Sequence, residues 1–514
     1  MALAYTPPGV SVSETVSPNV APLLAVPASV CLVGLAGNSA TNTTDPGGVI
    51  TKTELVTLTG TTPAALSVPA DATMQAQSSS TVGAIKKVTD YYTPSITQSA
   101  GYAYTTDWTF NNTAKTITRV GGGTIPSGAT VAVTYTYTPA DYWKPIRLSS
   151  LADIEERFGK AWNSTGTGVF SPLSFAAMHA LENGASDIVL QPLFFDNAGT
   201  KQQPTDAQHA TTTPWVSTLT QLRDYEDINI VVPIIGQSQT SVDDSVVRSI
   251  AFAVQDHLKF MKSEQQYIIG IFGNDATTNN ITNSLTTPRD LANQLQGRYN
   301  GELSEQCVVL APSKFVRAQP NTFANTVNVG GQYAAAAIAG MIASRPVSAS
   351  LTRRGIAGFV QIGEVRTKSD KNTDAQNGLM VVEQRGSVVQ VRHAVTIDNT
   401  STVKRELSIV RAKHRVVESI RSTIEEQIIG RVVADGQAPL VVRNAIVGTL
   451  DLLRGQGDIV SFNDVQARYI TLDPTTVEVR FSYKPAFPLN YVNVVFSLDL
   501  TTGDVTLPTS NTTF

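Results

Sequence analysis

Short apolar runs alternate with helix-like patterns between residues 145 and 345. The runs are bounded by turn residues and predict strands buried on both faces of a sheet, at 187–191, 228–235, 266–272 and 306–310. The stretches between them carry apolar residues at helical spacing, which predicts helices near 149–159, 171–183, 242–262 and 287–299. An earlier run, 30–36, predicts one more buried strand. This alternation indicates an α/β layer structure, with the polar stretch 197–214 as a surface loop.

The stretch 40–140 has a different pattern, rich in Thr, Ser and Gly and almost without helical periodicity. Its clearest element is a strand in which Val131, Val133, Tyr135 and Tyr137 alternate with Ala and Thr. The Gly-Gly-Gly at 121–123 is a turn signal ahead of this strand. We interpret the segment 41–140 as an all-β domain inserted into the α/β fold.

The last third of the chain mixes helical and strand patterns and predicts an α+β domain. Two β-like runs flank Arg385 and Gly386 within 379–397, and a long helical pattern follows over 404–430. A second helix is predicted at 438–453. Two strands then show strict alternation, one starting at Val477 and the other at Val492, so each strand buries one face and exposes the other.

Both ends of the chain are predicted to be extended arms, at 1–20 and 501–514. Pro7, Pro8 and Gly9 exclude a helix near the N-terminus, and Val10 and Val12 alternate with serines. The C-terminal segment is short, almost uncharged and strand-prone. A strand this short is not stable by itself, so each arm needs a sheet that belongs to something else.

The composition limits the classes of partner. Charged residues make up 16% of the chain, below the ~25% of a typical soluble domain. A weakly charged, Thr-rich surface suits strands and large protein interfaces. The formal net charge of −4 gives no overall basic field, so nucleic acid is not indicated as a direct partner. The apolar run 20–37 is interrupted by prolines and follows no Lys or Arg, so neither a signal peptide nor membrane insertion is predicted.

The sequence does not indicate catalytic chemistry. It contains no nucleophile elbow, phosphate-binding loop or zinc-protease motif, and no cofactor or metal is predicted. Cys31 and Cys307 are interpreted as buried free thiols, as expected for folding in a reducing cytoplasm. The scattered histidines are interpreted as surface or satisfied, partly buried residues: His179, His209, His257, His393 and His414. A Ser-His-Asp site assembled by folding stays open as an alternative on an α/β core.

One short stretch is positively charged, although the chain as a whole has a negative net charge. Between residues 404 and 415 there are five basic residues and one acidic residue, Glu406, which gives a local charge of +4. A solvated helix face is one interpretation of this stretch. Another is a surface that docks an acidic partner, where such charges steer and align the contact. The basic residues are Lys404, Arg405, Arg411, Lys413 and Arg415.

The order of several short motifs resembles that of contractile tail sheath proteins. The opening Tyr-Thr-Pro-Pro-Gly-Val-Ser-Val-Ser-Glu, at 5–14, is similar to the Pro-Gly-Val-Tyr-Val start of that family. The segment 149–159 ends in Phe-Gly and is followed by Pro-Leu at 172–173 and by Glu-Asn-Gly-Ala at 182–185. This succession is very similar to the sheath pattern of a helix ending in Phe-Gly, a Pro-Leu helix start and an Asn-Gly turn.

The C-terminal part continues the family order with Gly430, Ala-Pro at 438–439 and Gly-Asp-Ile at 457–459. Two segments depart from it. Ile-Asp-Asn-Thr-Ser-Thr, at 397–402, stands where many sheath proteins carry Ile-Asn-Thr-Leu-Thr. Ser-Leu-Thr-Arg-Arg, at 350–354, stands near the place of Lys-Ala-Pro-Ala. The resemblance covers roughly 1–38 and 145–510 of this chain.

Together, the pattern and the resemblance predict an α/β core plus an α+β C-terminal domain, with an inserted all-β domain and extended N- and C-terminal arms. The resemblance implies a structural, non-enzymatic subunit that polymerises around an inner tail tube and contracts to drive the tube through a host envelope. Its expected partners are identical copies in a helical sheath, the tail tube protein, and baseplate and tail terminator proteins. The expected setting is a phage tail assembled in the host cytoplasm, or a phage-derived particle.

The predicted domain boundaries follow from the same comparison. They are the N-terminal arm 1–20, the α/β core 21–40 and 141–360, the outer-surface β domain 41–140, the tube-facing C-terminal domain 361–500, and the C-terminal arm 501–514. Two other classes stay open: a surface adhesin or S-layer-like protein, favoured by the Thr-rich β sequence, and the α/β hydrolase.

The arms are expected to link subunits by adding strands to the C-terminal sheet of a neighbour. The candidate arm contacts are Pro8, Gly9, Val10, Val12 and Leu507. The candidate residues of the accepting sheet are Val477, Val479, Phe481, Val494 and Phe496. If the resemblance holds, the basic residues between 404 and 415 are candidates for facing the tube.

Overall fold

The structure is a computed structural model that describes most of the chain. The described residues are 28–37, 50–74, 85–90, 101–186, 188–225, 227–235, 244–274, 286–321, 325–470, 473–488, 497–498 and 505–506. Within them the chain forms several sheets and helices, which confirms a mixed α/β fold. The predicted arms lie outside the described residues, except for a two-residue strand in the C-terminal one.

The described residues up to 148 form nine strands, and the described part of 50–138 contains no helix. These strands are β1 Val30–Gly34, β2 Ile50–Leu58, β3 Ala64–Ala65, β4 Thr73–Met74, β5 Ile85–Asp90, β6 Trp108–Asn111, β7 Thr116–Arg119, β8 Ala129–Thr138 and β9 Ile146–Leu148. β8 pairs with β2, β4 and β5, and its Val131, Val133 and Tyr135 side chains are buried. The strand predicted from the alternation around Tyr135 is therefore confirmed.

Helices and strands alternate through the middle of the chain. The helices are α1 Leu151–Phe158, α2 Pro172–Glu182, α3 Asp206–His209, α4 Thr213–Gln221, α5 Asp244–Ser263, α6 Thr286–Gly297 and α7 Gly331–Ala343. The strands are β10 Ile188–Pro192, β11 Phe195–Asn197, β12 Thr200–Gln202, β13 Ile230–Pro233, β14 Ile269–Phe272, β15 Cys307–Ala311, β16 Lys314–Ala318 and β17 Thr326–Gly330. The predicted strands correspond to β10, β13, β14 and β15, and the predicted helices to α1, α2, α5 and α6, all within a few residues.

The last third of the chain combines two long helices with hairpins. The helices are α8 Lys368–Gln376, α9 Thr402–Arg405, α10 Leu407–Gln427 and α11 Ala438–Gln456. The strands are β18 Gln361–Ile362, β19 Met380–Arg385, β20 Val388–Val391, β21 Ile459–Ile470, β22 Asp473–Pro485, β23 Ser497–Leu498 and β24 Val505–Thr506. β19 and β20 confirm the two β-like runs predicted around Arg385 and Gly386, and Gly386 has the positive φ of 63° that such a tight turn needs.

Eight strands form the central sheet, in the order β20-β19-β15-β14-β13-β1-β10-β9. β1 lies parallel to both neighbours, and its Val30 pairs with Ile188 on one side and Ile230 on the other. Leu32 packs into the layer that contains α2 and α7, whereas Cys31 packs into the layer that contains α4, α5 and α6. Because helices cover both faces, the central strands are apolar at every position, which explains their continuous runs in the sequence.

One prediction about segment type is wrong. The stretch 197–214, predicted to be a surface loop, contains the end of the β11–β12 hairpin, α3 and the start of α4. His209 in this stretch and Trp215 directly after it are fully buried, and the Trp215 indole Nε1 donates to the His209 carbonyl at 3.3 Å. These buried contacts hold the stretch against the core. The long helix predicted over 404–430 is confirmed as α10, although the chain is not helical at Glu406, where ψ is 115°.

β21 follows α11 directly and was not predicted as a strand. Its alternation is broken because it carries extra residues relative to its partner, near Val460 and again between Asn463 and Gln466. Asp464, inside the second irregularity, has a φ of 56°. A bulge of this kind shifts the pattern to the opposite face, so the period of two disappears from the sequence.

α2 and α7 pack closely against each other in the layer on one side of the central sheet. A Cβ atom at Gly340 of α7 would lie 2.2 Å from the Ala180 carbonyl oxygen of α2. Six of the 13 residues of α7 are alanine, and every residue of the helix is buried. The two helix backbones therefore approach to a distance that only glycine permits at this position.

We expect Gly340→Ala to lower the free energy of unfolding by about 1–3 kcal/mol, because the added methyl group overpacks the contact with α2. The matched control is Gly448→Ala in α11, where nothing lies within 4 Å of the added Cβ. That substitution should raise stability by up to about 1 kcal/mol through helix propensity. Urea denaturation of both variants measures the difference, and equal effects would contradict the close contact.

Candidate assembly surfaces

β21 and β22 form a long antiparallel hairpin that packs on α10 and α11. One face of the hairpin, with Val477, Val479 and Phe481 half-buried, contacts the cluster that contains Ile446 and Leu450. The three predicted acceptor residues in β22 therefore point their side chains towards these helices. An arm that adds to this sheet would contact the main chain at a strand edge, not these side chains.

No other described strand pairs with the outer edges of this hairpin. Among the described residues its sheet consists of β21 and β22 alone, which are 12 and 13 residues long. Two of the three register shifts add a residue to β21, and the third adds residues to β22 between Asp473 and Val477, so β22 is regular from Val477 to Lys484. Unpaired strand edges are templates for an added strand, and proteins normally cover edges of this length. The geometry of β22 thus suits addition of an extended segment by main-chain hydrogen bonds.

The outer face of the hairpin carries charge. Glu478 accepts hydrogen bonds from Arg480 (2.8 Å) and Arg468 (2.9 Å). These two contacts, first that from Arg480, lower the pKa of Glu478 below its usual value. The solvent-facing side of β22 is therefore polar, whereas its inner side is apolar.

The other predicted arm and acceptor residues lie outside the described part of the chain. They are Pro8, Gly9, Val10, Val12, Val494, Phe496 and Leu507. Their predicted roles stay predictions.

The basic stretch 404–415 does not form one exposed face. Arg411 is only 5% exposed, and its Nη2 donates to the carbonyls of Ile342 and Arg345, each at 3.0 Å. Burial lowers the pKa of Arg411 to about 10, against a smaller opposing effect of the Asp458 carboxylate. The prediction that Arg411 belongs to an exposed docking surface is therefore wrong, because the first turns of α10 pack against the end of α7.

The remaining basic residues of this stretch are more accessible. Lys413 Nζ lies 2.5 Å from Glu305 Oε1, and Lys404 Nζ lies 4.0 Å from Asp398 Oδ2. Arg405 donates from Nη2 to the Ala375 carbonyl at 2.8 Å. Arg415, like Lys413, is half-buried. Contact of these four residues with a tube stays a prediction.

Four of the five histidines are buried, more deeply than predicted. His179 stacks on Phe359 with ring centroids 4.7 Å apart, and burial, then the Arg317 charge, holds its pKa well below its ordinary value. Burial lowers the pKa of His209 and of His257 to about 4, and that of His414 to about 3. These rings are neutral near pH 7 and shielded from solvent, so they are poor general bases for an external substrate.

The remaining candidate chemistry is equally enclosed. His393 Nε2 lies 3.0 Å from Glu406 Oε2. Cys31 and Cys307 are buried free thiols, as predicted, and burial raises the pKa of both, that of Cys307 to about 12. Within the described ranges no cluster of His, Cys, Asp and Glu is arranged to hold a metal ion. Among the described helices, none combines the length and apolarity needed to cross a bilayer.

Two curated proteins are similar to this chain in sequence, although no family model matches it. The tail sheath protein of Mycobacterium phage Bxz1 is 30% identical over 401 residues, which cover 77% of this chain and 63% of that protein. The tail sheath protein of Bacillus phage SP01 is 22% identical over 298 residues, or 54% of this chain and 51% of that protein. The chain thus spans between half and two thirds of the length of these relatives.

Solved structures with a similar fold come from the anti-feeding prophage. A chain of its baseplate matches with a TM-score of 0.52 and 14% identity, over 71% of this chain and 90% of that chain. A chain of its helical sheath in the contracted state matches with a TM-score of 0.50 and 14% identity, over 69% of this chain and 88% of that chain. At this identity the likeness concerns the fold.

Both curated relatives are tail sheath proteins, and the fold neighbours come from a baseplate and from a helical sheath. The chain is similar in sequence to tail sheath proteins of contractile phage tails, the family that its motif order predicted. Neither curated relative is an adhesin, an S-layer protein or a hydrolase, so the alternatives raised by the sequence have no support.

The buried histidines predict a loss of stability in acid. The His209 pKa is about 4 in the folded chain and near 6.5 when exposed. Stability should stay constant above about pH 6.5 and fall below it, because the unfolded chain then binds a proton that the folded chain rejects. Near pH 4 the folded state also becomes protonated and the loss from this residue levels off.

Between pH 7 and pH 4.5, the free energy of unfolding should fall by about 2–3 kcal/mol less in His209→Gln than in the wild type. Urea denaturation at the two pH values measures this difference. Thr220→Ala, an exposed change in the adjacent helix α4, should leave the pH dependence unaltered. An unchanged pH dependence in His209→Gln would mean that His209 titrates normally in the folded chain.

Proposed function

We propose that the chain is the structural, non-enzymatic subunit of a contractile tail sheath. Identical copies would polymerise as a helical array around an inner tail tube and contract to drive the tube through a host envelope. The similarity to curated tail sheath proteins supports this role. The observation that carries the assembly mechanism is the hairpin of β21 and β22, whose outer edges pair with no other described strand. The proposed location is the tail of a phage or phage-derived particle, assembled in the host cytoplasm.

The proposed partners are further copies of the chain, the tail tube protein, and baseplate and tail terminator proteins. Direct contact with nucleic acid and membrane insertion are not part of the proposal. Lys404, Arg405, Lys413 and Arg415 are the proposed tube-facing cations, now without Arg411. They lie on or beside the start of α10, the element that joins the central sheet to the hairpin.

We further propose the domain division predicted from the sequence. The α/β core would comprise 21–40 and 141–360, and the C-terminal α+β domain 361–500 would face the tube. The segment 41–140, whose described part contains strands and no helix, would be an insertion on the outer surface. The ion pair of Lys52 with Glu156 (3.6 Å) joins it to α1. The segments 1–20 and 501–514 would be the linking arms.

The energetics of strand addition suit such an array. An arm strand of about five residues forms about five main-chain hydrogen bonds, each with a net contribution of roughly 1 kcal/mol. Ordering the arm costs about 1–2 kcal/mol per residue, so the two contributions nearly cancel. The apolar side chains of Val10, Val12 and Leu507 would then decide whether the link forms. Such links can persist while the subunit bodies repack, so contraction would release energy stored in a metastable array without nucleotide hydrolysis.

Negative-stain electron microscopy of the untagged protein at high concentration tests the assembly. We expect hollow tubes with a helical repeat from the full chain, and folded monomers without tubes after deletion of residues 1–15. Circular dichroism verifies that the deleted chain is folded. Normal tubes from the deletion would reject the arm mechanism. A full chain that stays dispersed even with tube and baseplate proteins present would reject the sheath role.

A matched pair of double variants tests which side chains of the arm matter. Val10→Asp with Val12→Asp places charge on the apolar side of the predicted arm strand and should prevent tube formation. Ser11→Asp with Ser13→Asp adds the same charge on the opposite side and should permit it. The same microscopy distinguishes the two, and loss of tubes in both pairs would show that charge alone, not the buried face, is responsible.

A further inference from the structure

A pocket lined by three arginines lies beside the edge strand β20. Its volume is about 350 Å³, and its lining includes Arg353, Arg392 and Arg405 together with Asn372 and Ala375 of α8. The three arginines come from separate segments: the turn after Leu351, the end of β20, and α9. The sequence gives no sign of this grouping, because the residues are 39 and 13 positions apart.

Two of the guanidinium groups are held in place by neutral oxygen atoms. Arg392 donates from Nη2 to the Asn372 side-chain oxygen at 2.6 Å, and Arg405 donates from Nη2 to the Ala375 carbonyl at 2.8 Å. Arg392 Nη1 and Arg405 Nε are buried atoms without a hydrogen-bond partner in the described structure. Glu406, the neighbour of Arg405 in the chain, lies beside His393 instead and does not line the pocket.

A second, more open cleft continues the basic surface. Its volume is about 400 Å³; it shares Arg353 and Arg392 with the pocket and adds Lys368, Lys371 and Arg385. The single carboxylate in its lining is Glu383, which lies 2.8 Å from Arg353 Nη1 and 3.6 Å from Lys371 Nζ. The two clefts together therefore carry six cationic side chains, including Arg405, against one carboxylate.

This excess of positive charge is unusual for the chain and unfavourable without a counter-charge. The whole chain has a formal charge of −4, so the positive charges are concentrated locally. Like charges that share a partly buried site repel, and a buried donor without a partner loses the hydrogen bonds that water gave it. A bound anion would supply the missing counter-charge.

We propose that the two clefts bind a carboxylate-rich segment of a partner protein, with one carboxylate seated between Arg392 and Arg405. The planar guanidinium group matches a carboxylate in a bidentate arrangement. Neither cleft is lined by Phe, Tyr or Trp, the side chains on which bases of a single-stranded nucleic acid stack, so an acidic peptide fits better than an oligonucleotide. The site would bind such a segment whether or not the chain assembles into a sheath.

Fluorescence anisotropy with the full chain tests the site. One labelled probe is a peptide in which Glu alternates with Gly, and a second probe has Gln in place of Glu. We expect binding of the Glu peptide alone, weakened at least about tenfold by Arg392→Gln and by Arg405→Gln. Arg392→Lys keeps the positive charge but loses the planar guanidinium group that binds a carboxylate bidentately. Its affinity for the Glu peptide should therefore fall between those of the wild type and Arg392→Gln.

The control is Arg454→Gln in α11, which removes one exposed positive charge outside both clefts and should change the affinity by less than about twofold. Thermal unfolding of each variant verifies folding. Equal weakening by the control, equal binding of both peptides, or no binding of the Glu peptide would overturn the proposal. Tighter binding of a single-stranded oligonucleotide, with the same loss in Arg392→Gln, would identify a phosphate site and reject the assignment to a protein segment.

Discussion

Helix α7 is enclosed by protein on all sides, and the arrangement of the central layers depends on this enclosure. The helix can lie against the sheet and against α2 because it is built largely from Ala and Gly, and Gly340 allows the closest approach. Its first residues are equally confined, since a Cβ at Gly273 would lie 2.1 Å from the Gly331 carbonyl oxygen. Close-packed interiors transmit small displacements instead of absorbing them. The position of α7 consequently determines where Arg411, and with it α10, meets the core.

Buried ion pairs fix the position of helix α8 and, through it, the arginines of the basic pocket. Asp374 of α8 has no solvent exposure and pairs with Arg289 and Arg366, each at 2.5 Å. Removing one partner of such a network leaves an uncompensated buried charge, at a cost of about 3–5 kcal/mol. These contacts anchor α8 to α6 and to the segment before it. On its other side, α8 presents the oxygen atoms that orient Arg392 and Arg405, so the interior pairs align the basic pocket.

The predictability of each element follows from how its environment constrains the sequence. Central strands covered on both faces must be apolar throughout, and they were recognised within a few residues. β21 escaped recognition because its bulges interrupt the alternation that marks a strand with one buried face. The sequence pattern predicts one surface for the cations from Lys404 to Arg415, yet Arg411 faces the core. The basic pocket was invisible because Arg353, Arg392 and Arg405 meet only after the chain folds. Local pattern therefore identified the layers, whereas long-range placement determined the candidate surfaces.

Helix α10 is fastened to the rest of the molecule at three levels along its length. Arg411 binds carbonyls at the end of α7, Lys413 pairs with Glu305, and Arg421 donates to the Glu264 carbonyl after α5 at 3.4 Å. The helix has 21 residues and spans about 32 Å, from the central sheet to the hairpin that packs beside α11. A helix held by contacts at several points along its length cannot rotate independently of the core. A torque applied to the hairpin would therefore rotate the central sheet with it. The subunit would move as one rigid body, without bending at α10.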